Sequence, residues 1–126
     1  MARWAPARQD VIAELAREIT GVYTGRAIVA IMADDERESA AFGQELAEAV
    51  TAGGRTAVLS RDGVGAADGV VTIVVGPAAR RQPTAFHVRV WLDHDRPEDA
   101  RERAEAAVVF DLSEPEHPRR RFADSC

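Results

Sequence analysis

Residues 25–54 read GRAIVAIMADDERESAAFGQELAEAVTAGG and decide the fold, because a strand, a turn and a helix follow one another here. The run from Ala27 to Met32 is continuously apolar, which is typical of a central parallel strand covered on both faces. The stretch from Glu38 to Ala52 predicts a helix, whose buried face is marked at four-residue steps by Phe42, Leu46 and Val50. Gly53-Gly54 predicts the end of this helix, since glycine tolerates the left-handed conformation of a C-terminal cap.

The turn between this strand and this helix is where open α/β sheets usually bind phosphates and other ligands. It reads Ala33-Asp34-Asp35-Glu36-Arg37-Glu38, with four carboxylates and no glycine. Two like charges about 4 Å apart repel by roughly 4 kcal/mol at an effective dielectric constant near 20. The turn is therefore expected to repel a triphosphate, and Arg37 alone does not reverse that sign.

Further elements are predicted on both sides of this unit. Upstream, beyond Trp4 and Pro6, a helix from about Arg8 to Tyr23 has an apolar stripe formed by Val11, Leu15, Ile19 and Val22. Downstream, apolar runs predict strands at Thr56–Leu59, Val70–Val75, His87–Leu92 and Ala107–Leu112. The predicted connections are a glycine-rich loop over 60–69, a helical turn or loop over 78–86 that contains Arg80, Arg81 and Pro83, and a helix from Pro97 to about Ala106.

Strands that alternate with helices at this spacing predict a three-layer α/β/α fold with a five-stranded, mainly parallel sheet and right-handed crossovers. With 126 residues, 46% of them hydrophobic, the chain is expected to form a single domain over residues 1–112. From Ser113 onward the sequence is polar and broken by prolines, which predicts an exposed, mobile tail over 113–126.

The charge and hydropathy of the sequence indicate which classes of binding partner and which cellular compartment to expect. The net charge of −5 argues against nucleic-acid binding, because such proteins usually present a basic face to phosphates. No apolar run reaches the roughly 18 to 20 residues of a membrane span, and the first ten residues lack the core of a secretory signal. A cytoplasmic protein is therefore expected. Cys126 is the only cysteine, which excludes an internal disulfide and a cysteine-based zinc site.

The strand at His87–Leu92 alternates, which suggests a position nearer the sheet edge. Trp91 would then share a face with His87 and Arg89. Two interpretations of Trp91 stay open: it anchors a symmetric homodimer, or it packs beneath the helix that starts at Pro97.

Several acidic residues are expected near the carboxyl ends of strands, where clustered carboxylates can hold Mg²⁺. The candidate metal ligands are Asp34, Asp35, Asp62 and Asp93, with Asp95 close by. The alternative is that these acids cap helices and solvate loops. The three histidines have no spacing suited to a metal, and no serine lies in a nucleophile elbow. The Arg80-Arg81 pair could meet an anion, whereas Arg119-Arg120-Arg121 is expected to be solvated or loosely bound to an acidic partner.

The order of these segments resembles the uridine kinase-like nucleoside kinases of the P-loop superfamily. The segments that carry the resemblance are Val29-Ala30-Ile31, Phe42 to Leu46, Gly54-Arg55, Ser60-Arg61-Asp62, Thr72 to Gly76, Arg89 to Asp93 and Val108 to Arg119. The resemblance implies a trimmed P-loop NTPase-like core with strand order 2-3-1-4-5, and it places the family's catalytic base at Asp62.

The phosphate-binding loop of that family, GxxGxGK[ST], is degenerate here. When the motif is aligned with the turn after the first strand, its lysine position falls at about Ser39 and its hydroxyl position at Ala40. Its glycine positions fall at Ala33, Glu36 and Glu38. Gly63 occupies the second position of the family's acidic pair. A working loop needs converging backbone N–H groups, a lysine for charge and a hydroxyl for Mg²⁺.

The sequence therefore favours a non-catalytic uridine kinase-like protein that acts as a structural or protein-interaction module, with no cofactor and with a homodimer or another protein as partner. The alternative is a nucleoside or nucleotide binder, or a Mg²⁺-dependent phosphotransferase with altered chemistry. In that case Asp62 would be the catalytic candidate, and the degenerate turn would be the binding site.

Overall fold

The computed structural model of the chain describes residues 7–62, 68–80 and 86–121. Its helices are α1 (Arg8–Val22), α2 (Glu36–Ala52) and α3 (Ala100–Glu105), and its strands are β1 (Ala27–Met32), β2 (Thr56–Ser60), β3 (Val70–Val74), β4 (Val88–Asp93), β5 (Val108–Asp111) and β6 (Arg119–Arg121). Two 3-10 helices, Gly76–Arg80 and Pro97–Asp99, follow β3 and precede α3. The expectations for Trp4, Pro6, residues 63–67, Arg81, Pro83 and Cys126 lie outside the described residues.

The strands form one six-stranded sheet in the order β2-β3-β1-β4-β5-β6. The pairings among β1 to β5 are parallel, and their order confirms the predicted 2-3-1-4-5. The prediction of five strands is wrong, because β6 adds an antiparallel strand beside β5. The suggestion that β4 lies near the edge is also wrong, since β4 pairs with β1 on one side and β5 on the other.

Strand β6 lies in the segment that was expected to be a mobile tail. It has no apolar side chain, so the pattern of its sequence gave no sign of a strand. Its backbone pairs with β5, and side-chain ion pairs fix it in place: Arg120 contacts Glu18 of α1, and Arg121 contacts Asp93 of β4. Residues 122–126 lie outside the described residues.

Helices α1 and α2 cover one face of the sheet. Leu15 of α1 and Phe42, Leu46 and Val50 of α2 are almost completely buried in the larger core cluster. Val22 does not join them, because it is 72% exposed at the end of α1, so its assignment to the apolar stripe is corrected. Gly54, just after α2, has a φ of +96°, as expected for a glycine that ends a helix.

The opposite face has a smaller core cluster, which includes Ala30, Met32, Val74, Trp91 and Val109. Ala78 and Ala79 of the 3-10 helix Gly76–Arg80 belong to this cluster, and Ala106 after α3 packs against it. Helical elements therefore lie on both faces of a mostly parallel sheet, and the chain is an α/β protein. None of the helices in the described part of the chain is long and apolar enough to cross a membrane.

The carboxyl ends of β1 and β4 form the topological switch point of the sheet. The chain leaves β1 into α2 on one face and leaves the adjacent strand β4 into α3 on the other. The two connections diverge there, so a crevice is expected between the strand ends, and ligands of open α/β sheets bind in such crevices.

Candidate functional site

The turn between β1 and α2 begins the helix and places its acidic residues in different environments. Asp35 is the N-cap of α2, and its carboxylate accepts a hydrogen bond of 2.8 Å from the backbone N–H of Arg37. Glu36 and Arg37 are exposed. Asp35 is therefore a helix cap, which is the alternative to a metal ligand. Its side chain already occupies one of the N–H groups at the start of α2 that a ligand could otherwise use.

Asp34 lies at the end of β1 between two arginines. Its carboxylate is 3.5 Å from Arg80 in the 3-10 helix Gly76–Arg80 and 2.9 Å from Arg96 after β4. Both arginines are distant in sequence, so only the fold brings them to this turn. The expected repulsion considered Arg37 alone, and Arg80 and Arg96 add two positive charges beside Asp34 that the sequence of the turn does not contain.

Ser39 occupies the position where the resemblance expects a phosphate-binding lysine. Its side chain is buried, donates a 2.6 Å hydrogen bond to the carbonyl of Ile31 and accepts a 3.0 Å hydrogen bond from the backbone N–H of Gly76. The hydroxyl thus links α2 to the ends of β1 and β3. Its donor and one of its acceptor sites are used inside the protein, so Ser39 is a structural residue in this conformation.

A side-chain pair connects α2 to the loop after β4. Nε2 of His94 lies 2.8 Å from both carboxylate oxygens of Glu38, and both side chains are partly buried. Together with the pair between Asp34 and Arg96, this contact joins the two walls of the switch point. The carboxyl ends of β1 and β4 are therefore bridged by the protein's own side chains.

Asp93, at the end of β4, is completely buried and has three partners. Its Oδ1 accepts hydrogen bonds from Nε1 of Trp91 at 2.9 Å and from Arg103 at 2.8 Å, and its Oδ2 accepts one from Arg121 at 3.0 Å. Burial raises the pKa of Asp93, but hydrogen bonds from Arg103 and Trp91 outweigh it and leave the pKa lowered. Asp93 is therefore an ionised structural carboxylate that ties β6 and α3 to the sheet.

Of the remaining acidic candidates, Asp62 lies apart from this cluster, whereas Asp95 lies at its exposed side. Asp62 is exposed after β2 and accepts a 2.9 Å hydrogen bond from the hydroxyl of Ser60. Asp95 is exposed and lies 3.3 Å from Arg121. Within 7–62, 68–80 and 86–121, no group of three or more His, Cys, Asp or Glu residues is arranged to hold a metal ion.

Trp91 is completely buried, so the interpretation of this residue as an interface anchor is wrong. It lies in the smaller core cluster with Ala79, and the guanidinium of Arg80 is 5.5 Å from its ring centroid. The alternative, in which Trp91 packs beneath the helix that starts at Pro97, is right about its burial, but the helical element that contacts Trp91 is the 3-10 helix Gly76–Arg80, and Ala106 after α3 packs against the same cluster. Strict alternation misleads here because β4 is an internal strand and both of its faces are covered.

Asp99 is the site residue that sequence patterns missed, because Pro97-Glu98-Asp99 has the ordinary composition of a first helical turn. The residue is only 4% exposed, and its Oδ2 has no hydrogen-bond partner among the described residues. The pKa of Asp99 is raised, chiefly by burial and next by the nearby charge of Asp34. A buried acid beside a second carboxyl group thus lies at the same switch point.

Several pockets in the described part of the chain lie away from the switch point, one of them between α1 and α2. A cavity of about 220 Å³ lies between α1 and β6, with Leu15 and Phe110 in its wall and Glu18 and Arg119 at its polar side. A shallower, more open groove runs between α2 and β2, past Ala47, Ala57 and Leu59.

Comparisons with protein-family models, curated proteins and solved structures give no significant match to this chain.

Proposed function

We propose that the chain is a non-catalytic relative of the uridine kinase-like P-loop proteins and acts as a structural or protein-interaction module. The observation that carries this proposal is the buried hydroxyl of Ser39. Where the resemblance expects a lysine that reaches a nucleotide phosphate, Ser39 instead joins Ile31 to Gly76 inside the domain. The strand order from β2 to β5 is the one that the resemblance implies, and this supports the relationship at the level of topology.

The contacts around the turn support a non-catalytic role. A phosphate cradle needs several free backbone N–H groups that converge on the anion. Here the carboxylate of Asp35 accepts a hydrogen bond from the N–H of Arg37. The turn also contains no glycine, which would let the backbone approach a phosphate closely. The pairs Glu38–His94 and Asp34–Arg96 would have to break before a ligand could enter between β1 and β4.

One observation favours the second candidate, a nucleotide binder with altered chemistry. Arg80 and Arg96 bring two guanidinium groups to the end of β1, and each is nearly half exposed. An anion that displaced the carboxylate of Asp34 would meet both. This candidate would use arginines in place of the missing lysine, with Asp62 as its base and Mg²⁺ as its cofactor.

A phosphotransfer assay separates the two candidates. The purified chain should transfer no phosphate from ATP to uridine or cytidine in the presence of Mg²⁺. The matched variant is Asp62→Asn, which keeps the size of the side chain and removes its charge. Turnover by the wild type that disappears in Asp62→Asn would overturn the non-catalytic proposal.

The proposed protein-interaction surface is edge strand β2 and not Trp91, which is buried. Its sequence TAVLS has no charge and no proline, which are the usual protections of an edge strand, and Val58 is 40% exposed. We expect a second copy to pair with this edge. Light scattering at tens of micromolar should give a dimer mass that Val58→Lys reduces to the monomer mass, and a monomeric wild type would refute self-association.

A further inference from the structure

The backbone of edge strand β2 determines which of its residues face the open edge of the sheet. The N–H of Val75 donates to the carbonyl of Ser60, so the backbone groups of Ser60 point toward β3. Alternate residues of an extended strand turn their backbone groups to the same side, so those of Val58 also point toward β3. The N–H and C=O groups of Ala57 and Leu59 therefore point outward and offer a template for another strand.

The side chains of β2 present different surfaces on the two faces of the sheet. Ala57 and Leu59 are partly buried against the larger core cluster, and with Ala47 they line the groove between α2 and β2. Val58 points to the opposite face and is exposed. An incoming strand would thus cover an apolar groove on one face and an exposed valine on the other.

The other edge of the sheet is charged. Strand β6 consists of Arg119–Arg121, and Arg119 is exposed. Charged side chains on an edge strand oppose pairing with another chain, and like charges directly opposite each other are destabilising. The β2 edge of one copy is therefore expected to pair with the β2 edge of another and not with β6. A contact between two identical surfaces closes at a dimer, because each copy uses its only matching edge.

We infer that two copies of the chain pair their β2 strands antiparallel about a twofold axis at Val58, so that their two sheets become one. This inference rests on the self-association at β2 proposed for this chain and specifies its geometry. Ala57 of one copy lies opposite Leu59 of the second copy, and Leu59 of the first lies opposite Ala57 of the second. Each of these opposed pairs exchanges two backbone hydrogen bonds through the groups that point outward.

Side-chain size and polarity favour this register. It places the two Val58 side chains in a non-hydrogen-bonded pair, where opposed side chains approach most closely, so each covers the other. It also sets the small side chain of Ala57 against the larger one of Leu59 beside the groove. The neighbouring registers that still pair the outward groups would place Val58 opposite the hydroxyl of Thr56 or Ser60 and leave part of the strand unpaired.

The charges at the ends of the paired strands are compatible with this register. Arg61 of the second copy would lie opposite Arg55, whose N–H is bonded to the carbonyl of Val50 in the last turn of α2. That turn contains no basic residue, and the carboxyl end of a helix attracts a cation. Arg55 itself is directed into its own domain, because its guanidinium donates to the carbonyls of Tyr23 and Gly25.

Disulfide cross-linking tests the register directly. In the background Cys126→Ser, which removes the only native thiol, Val58→Cys and Thr56→Cys each place one cysteine on the same exposed face of β2. Opposed residues of a non-hydrogen-bonded pair have Cα atoms about 4.5 Å apart, which is within disulfide reach. The two copies of residue 56 would be four residues, or about 14 Å, apart along the strands. Oxidation at tens of micromolar should link Val58→Cys into a covalent dimer and leave Thr56→Cys monomeric.

Amide hydrogen exchange of the wild type, followed residue by residue, tests the same geometry without a variant. The amides of Ala57 and Leu59 should become more protected as the protein concentration rises through the dimerisation range. The amide of Val58, which points toward β3, should be protected at every concentration.

Light scattering of the wild type separates the two levels of the inference. A monomer at tens of micromolar would refute self-association at β2 and this register with it. A dimer in which Thr56→Cys cross-links as readily as Val58→Cys would indicate parallel pairing, and a dimer in which Ala57 and Leu59 gain no protection would indicate another interface. Either result would overturn the register and leave self-association standing. Masses that grow beyond the dimer with concentration would overturn closure at the twofold axis.

Discussion

Replacing Asp93 with alanine removes the carboxylate that joins three parts of the fold. Trp91, which is completely buried, loses the acceptor of its Nε1–H, and this alone costs about 1–3 kcal/mol. Breaking a buried ion pair costs about 3–5 kcal/mol when it leaves a buried charge uncompensated. The side chains of Arg103 and Arg121 are 22% and 44% exposed, so water can solvate both guanidinium groups once the carboxylate is gone. The cost is therefore expected at the low end of the roughly 3–5 kcal/mol range. We therefore expect Asp93→Ala to lower the free energy of unfolding by about 3 kcal/mol near pH 7.

Urea unfolding followed by circular dichroism measures this loss, and two further variants define its origin. Asp93→Asn retains an acceptor for Trp91 and should lose less stability than Asp93→Ala. Asp95→Ala removes a carboxylate that also contacts Arg121 but is 70% exposed, so its effect should be small. Equal losses from Asp93→Ala and Asp95→Ala would refute the assignment of Asp93 as the buried link.

The same network predicts the response to acid. Because the pKa of Asp93 is lowered in the folded state, its contribution is present above the unfolded pKa of about 3.9 and is lost as the pH falls through the folded value. The stability difference between wild type and Asp93→Asn should therefore shrink below about pH 4. A difference that stays constant down to acid unfolding would contradict this direction.

Two further stability predictions follow from close contacts. Ser39→Ala should cost about 1–3 kcal/mol in urea unfolding, because the N–H of Gly76 is left without its acceptor, whereas a loss within error would place the hydroxyl outside the core hydrogen bonds. Gly43→Ala should destabilise by about 1–3 kcal/mol, since its new Cβ would lie 2.3 Å from Cγ1 of Val75. Gly21→Ala, with no atom within 4 Å of the new Cβ, should instead gain about 0.5–1 kcal/mol, and the same sign for both glycines would refute the packing at Gly43.

The parts of the fold that depend on apolar patterning could be predicted from the sequence. The strand Ala27–Met32 agrees with the prediction residue for residue, and α2 begins only two residues before its expected start at Glu38. Strand order also agreed, but it came from the resemblance and not from periodicity. Long apolar runs specify buried elements because burial dominates their energetics.

Elements that depend on charge could not be predicted in this way. Strand β6 is held by arginines whose partners lie 28 and 102 residues away, and no local pattern encodes such pairs. The candidate site has the same property, because Arg80, Arg96 and His94 meet the turn after β1 only once the sheet is assembled. For this reason the acidic turn looks more repulsive to an anion in the sequence than in the structure.

The most direct test of the non-catalytic proposal is a calorimetric titration of the chain with ATP, UTP and uridine, each with and without Mg²⁺. We expect no saturable heat up to ligand concentrations of about 1 mM, because the hydroxyl of Ser39 is buried and side-chain pairs bridge the ends of β1 and β4. At that concentration a binding free energy of only about −4 kcal/mol would be detected. Saturable binding of a nucleotide that is lost in a variant with both Arg80 and Arg96 replaced by alanine would contradict it and establish the switch point as a nucleotide site.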